Sequence, residues 1–359
     1  MVRLKLVLFG LSSALAAAAA VAQPDPSGIS FVTVGSPGNP AYNRYDPQGL
    51  ITGRGSVSYE YRIGQYEVTT SQWMEFYNTF KARPDFVPDS VLPPPMIWGA
   101  QVDPNYSGPG TRYELIPGNP DSGMRFTAGI TWRVAAMFCN WECNNKSSAL
   151  TAIQNGAYDT STFQEPQRGV FTDQLQHNPG AAYWIPTLDE WAKASFFDPN
   201  ANGGAGGWWL NEYGRDRQPV FGPPPSWGGA GETNTFFDLP NNAQYTIPLG
   251  AYGEVGSVSP WGLLDTAGAT TEWLEDRGTY GIGGMFRYTG GSSSAGGSVD
   301  WAYASYESWT PVNRYPWCGF RVAAAIPGPS TLAITSLALC WGVRRCRTGE
   351  HKCKGSSAS

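Results

Sequence analysis

Cysteines are the residues in this sequence that could carry the most distinctive chemistry, because thiolates bind soft metal ions and take part in redox reactions. Three of the six cysteines fall near the C-terminus, and the body of the chain keeps Cys139, Cys143 and Cys318. An odd number predicts at most one disulfide bond within the body. Cys139 and Cys143 stand at i and i+4, so one helical face could present two thiolates to a metal. Lone cysteines are more often buried apolar residues, and we favour core packing.

Histidine and buried carboxylates are the other groups that could act as acids, bases or metal ligands. His177 is the only histidine before the C-terminal tail, which excludes a site built on several histidines, and we expect it in a loop with no role. Glu67, Glu190 and Arg321 stand inside otherwise apolar segments. Because buried charges need partners, we predict that Arg321 forms a structural ion pair with one of the two glutamates. A catalytic acid–base pair of the two glutamates is the alternative, and nothing in their spacing favours it.

Three short helices are expected to position these groups. Thr69 and Gln72 fit a capping box, in which a hydroxyl and a glutamine satisfy free amide groups. An apolar stripe at i, i+3, i+4 and i+7 follows it: Trp73, Phe76, Tyr77 and Phe80. A second helix is predicted to begin near Thr131, and Thr187 with Glu190 forms another capping box. We expect the apolar faces of these helices to lie in the core.

Short strands and turns account for the rest of the body. The sequence contains 44 glycines and 29 prolines, together with 15 tryptophans, 18 tyrosines and 16 phenylalanines. Residues 31–34 and 59–66 have strand patterns, and strand and turn signals dominate residues 245–325. This composition predicts an irregular, loop-rich α+β domain with many rigid aromatic side chains.

Five short segments form an ordered pattern between residues 61 and 322. In chain order they are Tyr61–Thr69, Gly129–Trp141, Tyr183–Trp191, Gly262–Trp273, and Gly290–Ser292 with Gly319–Val322. Each segment alone is weak, but five in order over most of the body resemble the sulfatase-modifying-factor (formylglycine-generating enzyme) family. The resemblance implies one domain over residues 28–325, with an α+β fold related to C-type lectins, few short helices and short antiparallel strands.

The resemblance also implies an oxidase chemistry that this chain does not match. In the family, two cysteines just after the Gly-Gly-Ser segment bind copper(I) and oxidise a substrate cysteine to formylglycine. When the sequences are aligned without gaps, these positions fall here on Ala295 and about Asp300. Neither side chain can replace a soft thiolate on copper(I). We therefore expect no copper and a non-catalytic binding or structural module. An oxidase with displaced cysteines, or another enzyme on the same scaffold, are the alternatives.

Calcium is the metal that the resemblance favours. The family holds a structural Ca²⁺ through side-chain and main-chain oxygens that fall here on Asp265, Gly268, Thr270 and Glu272. Hard oxygen donors of this kind suit calcium. The alternative is that the two carboxylates are ordinary surface groups. A second family site would fall, on a looser alignment, near Asn234, Thr235 and Asn241.

Residues 290–317 are the predicted ligand face, since they occupy the family's active-site position. Serine, tyrosine and tryptophan are typical of adaptable recognition surfaces, and aromatic faces can stack on sugars. We expect a glycan or a peptide as the ligand. The candidate residues are Ser292, Ser293, Ser294, Trp301, Tyr303, Tyr306 and Trp309. A glycine- and serine-rich surface loop with buried aromatic residues is the alternative.

The two ends of the chain carry targeting signals. Residues 1–22 combine a positive start, an apolar stretch and a small-residue cleavage site, which predicts a secretory signal peptide. Residues 327–347 combine prolines, a short apolar run and an arginine cluster, and they resemble a bacterial PEP-CTERM sorting tail handled by an exosortase. Gly328 replaces the glutamate of that motif, and a polar tail, residues 348–359, follows. We expect export to the cell envelope or beyond it, with transient or stable membrane association through this C-terminal segment.

Nucleic acid is excluded as an expected partner. The sequence has 24 Lys and Arg against 29 Asp and Glu, and charged residues make up only 15% of it. No basic patch occurs in the body, whereas nucleic-acid-binding domains carry clustered positive charge.

Overall fold

Three helices and a set of short strands make up the domain. We describe residues 25–46, 51–235, 237–280, 284–294, 307–309, 311–312 and 314–327 of a computed structural model of the 359-residue chain. The main helices are α1 (Thr70–Lys81), α2 (Trp132–Cys143) and α3 (Leu188–Phe196), and a four-residue turn, α4, spans Ala201–Gly204. The predicted targeting segments are 1–22 and 327–347, and apart from Pro327 they lie outside the described residues. Within the described part, no helix combines the length and apolar character that a membrane crossing requires.

Twelve short strands are described. They are β1 (Phe31–Val34), β2 (Tyr61–Gly64), β3 (Ala100–Val102), β4 (Tyr113–Leu115), β5 (Tyr183–Trp184), β6 (Phe197–Asp198), β7 (Gly207–Trp208), β8 (Thr271–Tyr280), β9 (Gly284–Gly290), β10 (Glu307–Trp309), β11 (Cys318–Phe320) and β12 (Ala323–Ala324). One sheet has the order β1-β2-β12-β5 and another β10-β9-β8-β11, while β3-β4 and β6-β7 form two-strand pairs. All pairings are antiparallel except β8 with β11. The predicted α+β architecture is confirmed.

The helix starts follow the local sequence. Thr69 caps α1 in a capping box with Gln72, and Thr187 caps α3 in a capping box with Glu190, as predicted. The Thr131 hydroxyl accepts a hydrogen bond from the Val134 amide at the start of α2. These caps satisfy amide groups that a helix end otherwise leaves free, so each helix begins at a defined residue.

Aromatic side chains form the centre of the core. The predicted α1 stripe is fully buried. Trp73 stacks on Phe138 of α2 at 5.8 Å between ring centroids, and meets Phe76 and Phe320 edge-on. Because α1 and α2 contribute rings to the same cluster as β11, this core fixes the helices against the β8–β11 sheet.

Candidate functional site

The Gly-Gly-Ser segment forms a tight turn at the end of β9, against α3. A Cβ atom on Gly290 would lie 2.7 Å from the Trp191 ring, and one on Gly291 would lie 2.6 Å from the Thr266 carbonyl oxygen. Gly291 also has a φ of 77°, which side chains rarely adopt. Glycine is therefore required at both positions for this turn to pack.

The three serines that follow belong to this buried turn. Ser292 and Ser293 are fully buried, and Ser294 is 3% exposed. The Ser292 hydroxyl accepts a hydrogen bond from the Gly268 amide at 3.1 Å and lies 2.9 Å from Thr235 Oγ1. The Ser294 hydroxyl donates to a main-chain carbonyl 3.1 Å away. These contacts correct the prediction that the three serines line an open ligand face, because their polar groups face the interior.

The aromatic half of the predicted ligand face is described only in part. Trp301, Tyr303 and Tyr306 lie outside the described residues, as do Ala295 and Asp300. Trp309 belongs to β10, whose backbone pairs with β9 opposite Arg287. An aromatic ligand face therefore stays a prediction.

Cys318 lies on the far side of β8 from the Gly-Gly-Ser turn. It stands opposite Thr271 of β8, while Gly290 of β9 stands opposite Glu272. Neighbouring strands are about 4.8 Å apart, so about 10 Å separates β11 from β9. Cys318 is also fully buried beside the Thr271 hydroxyl, at 3.5 Å. It cannot place a thiolate at the turn.

The other two cysteines of the body pack within α2. Cys139 is fully buried, and burial raises the pKa of its thiol well above the usual value. The Cys143 thiol donates a hydrogen bond to the Tyr183 carbonyl at 3.3 Å. In the part of the chain that is described, no group of three or more histidine, cysteine or acidic side chains could hold a metal ion. Cys139 belongs to the main core cluster, and the partly buried Cys143 packs against it, which agrees with core packing.

Arg321 lies at the centre of the site, fully buried and ion-paired with Glu272. Its Nε and Nη2 donate to both carboxylate oxygens at 2.8–3.2 Å, and its Nη1 donates to the Gly64 carbonyl at 2.8 Å. Nη2 also reaches the Leu264 carbonyl, and Trp191 Nε1 donates to Glu272 at 3.1 Å. This network joins β8, the end of β2 and α3 immediately behind the Gly-Gly-Ser turn.

The predicted pairing of Arg321 with Glu67 or Glu190 is wrong. Glu190 is held by the capping box of α3 and also accepts hydrogen bonds from Trp184 Nε1 and Tyr59. Glu67 accepts the Thr270 amide at 3.1 Å, and its Oε2 is buried with no partner among the described residues. Burial and the nearby Glu272 charge raise the pKa of Glu67 well above its usual value. Strand pairing, which sequence spacing does not reveal, places Glu272 closest to the guanidinium.

A match to a protein-family model over most of the body identifies the family of this chain. A family model described as the sulfatase-modifying factor enzyme 1-like domain matches residues 36–326. The chain belongs to this family. The comparison of this chain with curated proteins found no match.

Three solved structures resemble the chain, and of these CarF supports the fold. CarF has 20% sequence identity and a TM-score of 0.51, and the alignment covers 83% of this chain and 99% of CarF. The Treponema denticola variable protein 1 has 17% identity and a TM-score of 0.45, covering 83% and 95%. PvdO from Pseudomonas aeruginosa has 13% identity and a TM-score of 0.40, covering 83% and 92%. At these identities the likeness to CarF concerns the fold alone.

The four predicted calcium ligands of the sulfatase-modifying-factor-like domain do not form an open site. Both oxygens of Glu272 already accept hydrogen bonds from Arg321, so Glu272 does not fit as a ligand in this arrangement. Asp265 is 5% exposed, and burial raises the pKa of its carboxyl to about 6. Asp265 Oδ2 accepts a hydrogen bond from the Gly250 amide at 2.5 Å. Asp265 Oδ1 and the main-chain oxygens of Gly268 and Thr270 are then fewer than the six to eight ligands that calcium takes.

The second predicted calcium region has one suitable oxygen. Asn234 Oδ1 is buried and has no partner in the described part of the domain, while its Nδ2 donates to a main-chain carbonyl at 3.0 Å. Thr235 Oγ1 is engaged with Ser292 Oγ, and Asn241 lies in a turn with a φ of 58°. One orphaned oxygen supports a ligand role for Asn234 without establishing a site.

His177 contacts the buried carboxylate of Glu275, which sequence reasoning missed. Glu275 Oε1 accepts hydrogen bonds from the His177 amide at 2.6 Å and from the Tyr158 hydroxyl at 2.8 Å, and it lies 2.9 Å from His177 Nδ1. The imidazole also stacks on Trp184, with centroids 4.6 Å apart. His177 lies in a loop, as expected. The expectation that it has no role is corrected, because it ties this loop after α2 to β8.

We expect the stabilisation by His177 to depend on pH. Burial lowers the pKa of the imidazole, but the hydrogen bond and charge of Glu275 outweigh this, so the pKa in the folded state is raised above about 6.5. Stability from a raised pKa is fully present below the unfolded value and is lost as the pH rises through the folded one. The stability difference between the wild type and His177→Gln, measured by urea unfolding, should be largest below about pH 6.5 and shrink as the pH rises above that value. A pH-independent difference would contradict this.

A cleft of about 510 Å³ opens beside the start of α2. Its lining includes Arg133 and Arg314 together with apolar side chains such as Phe163 and Met137. Nothing in the sequence pointed to it, because residues from α2, from the segment after it and from the approach to β11 meet there only in the folded domain. It lies apart from the serines of the predicted ligand face, none of which lines it.

Proposed function

We propose that this protein is a non-catalytic member of the sulfatase-modifying-factor family that works as a binding or structural module of the cell envelope. The observation that carries the proposal is the absence of thiols at the Gly-Gly-Ser turn: no cysteine occurs between Cys143 and Cys318 in the sequence. Copper(I) in a protein requires soft donors such as thiolates. A copper(I) site that activates oxygen through two thiolates therefore has no ligands at this turn.

The position of Cys318 supports the same proposal. A displaced cysteine could rescue the family chemistry only if two thiolates converged on one point. Cys318 lies two strands from Gly290, and Cys139 is fully buried in α2. Bringing both to the turn would require β8 to leave the sheet, which would break the Arg321–Glu272 network behind it. The domain can retain its fold while offering a surface for a partner.

An oxidation assay tests the non-catalytic proposal. Purified protein loaded with copper(I) is mixed with a peptide containing Cys-x-Pro-x-Arg under air, and formylglycine is detected by mass spectrometry as an aldehyde. We expect no aldehyde above that of a variant in which Cys139, Cys143 and Cys318 are all alanine. Aldehyde formation that the cysteine-free variant lacks would establish the alternative, an oxidase with displaced cysteines.

Export and anchoring are the second part of the proposal. The signal peptide at residues 1–22 and the sorting segment at residues 327–347 support delivery to the envelope through exosortase-type machinery. Mass spectrometry of the mature protein from the envelope fraction would identify both ends. An intact N-terminus in the cytoplasm would contradict the export proposal.

Calcium binding is the third part of the proposal, and the carboxylate of Asp265 and the orphaned Asn234 Oδ1 support it. With few free oxygens, the affinity should lie in the range of extracellular modules, about 10⁻⁴–10⁻³ M. A ligand that binds the native state raises the melting temperature. The shift should therefore appear at millimolar calcium and disappear in Asp265→Asn. An unchanged melting temperature would remove calcium from the account.

A further inference from the structure

We propose that the cleft lined by Arg133 and Arg314 binds an amphiphilic carboxylate, meaning a molecule with a single carboxylate head and an apolar chain. The proposal deepens the proposed function, because it rests on this domain being a binding module and names the chemical class of its ligand. It makes no use of the Gly-Gly-Ser turn, whose serines are buried and do not line the cleft.

Arg133 is the more rigid of the two guanidinium groups. It is paired through Nε and Nη2 with both oxygens of Asp173, at 2.7 and 2.8 Å, and Asp173 has a fully buried side chain. The guanidinium also lies over the rings of Phe163 and Phe171, 5.5 Å from each centroid. Its third nitrogen, Nη1, has no hydrogen bond within the described residues. Arg133 therefore offers a preorganised donor at the cleft.

Arg314 brings a positive charge that no described residue neutralises. Its Nε donates to the Gly129 carbonyl at 3.1 Å and its Nη2 donates to the Pro94 carbonyl, so carbonyls orient the group without neutralising it. Within the described residues it forms no ion pair. The remaining acid of the cleft, Asp89, is itself paired with Lys81 at 2.5 Å. With Arg133 balanced by Asp173, one positive charge is left, which suits a monoanion.

Apolar side chains shared by two neighbouring clefts offer a surface for the ligand's chain away from the arginines. Val91 and Val312, on the rim of the cleft, are 42% and 41% exposed. Val91 and Met137 also line a neighbouring cleft of about 200 Å³, whose other walls include Leu150 and Ile153. A ligand with its carboxylate between the guanidinium groups could lay an aliphatic chain over Met137 into this second cleft.

Octanoate and octanamide form the matched pair of probes, since they differ mainly in charge at the head. With the full-length protein we expect saturable octanoate binding by isothermal titration calorimetry and no saturation with octanamide. Hexanoate should bind about tenfold more weakly than octanoate, because each methylene buried contributes about 0.8 kcal/mol. N-acetyl-leucyl-leucine tests a peptide C-terminus as the natural source: tighter binding than octanoate favours a peptide, weaker binding a fatty acid.

Two variants keep the test independent of folding. Arg314→Gln should weaken octanoate binding by at least about tenfold, because a hydrogen bond to a charged group is lost. Val91→Asp, at an exposed rim position, should abolish binding by adding a like charge. Arg112→Gln, an exposed arginine outside the cleft, is the control and should bind octanoate as the wild type does. Melting temperatures near that of the wild type confirm that each variant is folded.

Equal binding of octanoate and octanamide would overturn the proposal, and so would wild-type octanoate affinity in both Arg314→Gln and Val91→Asp. Failure here leaves the non-catalytic proposal standing, since that proposal depends on the aldehyde assay. Conversely, aldehyde formation would overturn the non-catalytic proposal. The octanoate titration would still decide whether the cleft binds a carboxylate.

Discussion

Replacing Arg321 by methionine is expected to lower the free energy of unfolding by about 3–5 kcal/mol, because removing one partner of a buried ion pair leaves the other charge uncompensated. Arg321 and Glu272 are both fully buried, and the guanidinium also binds two main-chain carbonyls. The variant would strand the Glu272 carboxylate beside Glu67, whose Oε2 already lacks a partner among the described residues. Urea unfolding followed by tryptophan fluorescence measures the change.

The double variant Arg321→Met with Glu272→Gln separates the charge effect from the packing effect. Neutralising the stranded carboxylate should recover part of the lost stability, since a neutral amide costs less to bury than a charge. Arg44→Met is the matched control: its ion pair with Asp216 is solvent-exposed, so its removal should cost at most about 1 kcal/mol. Equal losses of unfolding free energy in Arg321→Met and Arg44→Met would contradict the conclusion that the buried Arg321–Glu272 network stabilises the domain.

Replacing Trp73 by alanine should cost about 3–5 kcal/mol, because it removes a large buried ring and leaves a cavity that the core cannot fully close. Trp73 is fully buried and contacts Phe76, Phe138 and Phe320, so a single ring joins α1, α2 and β11. Its indole nitrogen has no hydrogen-bond partner within the described residues. The loss should therefore come from packing, and it would be measured by urea unfolding.

Two further variants isolate that packing contribution. Trp73→Phe keeps most of the ring and loses no hydrogen bond, so it should be clearly more stable than Trp73→Ala. Trp227→Ala removes a tryptophan that is 40% exposed, and its cost should be small. A Trp73→Ala variant as stable as Trp227→Ala would show that the α1–α2 core is not what holds the domain together.

The helices could be predicted because their signals are local. Thr69 with Gln72, and Thr187 with Glu190, are three residues apart, so a capping box can be seen in the sequence itself. The α1 stripe repeats with the helical period and is buried as that period requires. The fold class also followed from several short motifs in a fixed order.

The contacts of the site could not be predicted, because they depend on which strands pair. Arg321 meets Glu272 only because β11 pairs in parallel with β8, and nothing in the spacing distinguishes Glu272 from Glu67 or Glu190 as its partner. Ser292 stands in a glycine- and serine-rich segment of the kind found at surfaces, yet the turn directs its hydroxyl to the Gly268 amide. The contact of His177 with Glu275 and the cleft at Arg133 could not be predicted for the same reason, since both join residues that are distant in the sequence.

The central claim is that the Gly-Gly-Ser turn has no thiols to hold copper(I). Titration of the reduced protein with copper(I) against a chromogenic competitor such as bicinchoninate measures this directly. We predict no high-affinity site, and the same titration curve for the wild type and for the variant lacking Cys139, Cys143 and Cys318. One equivalent of copper(I) held against the competitor by the wild type, and lost when those cysteines are removed, would contradict the account.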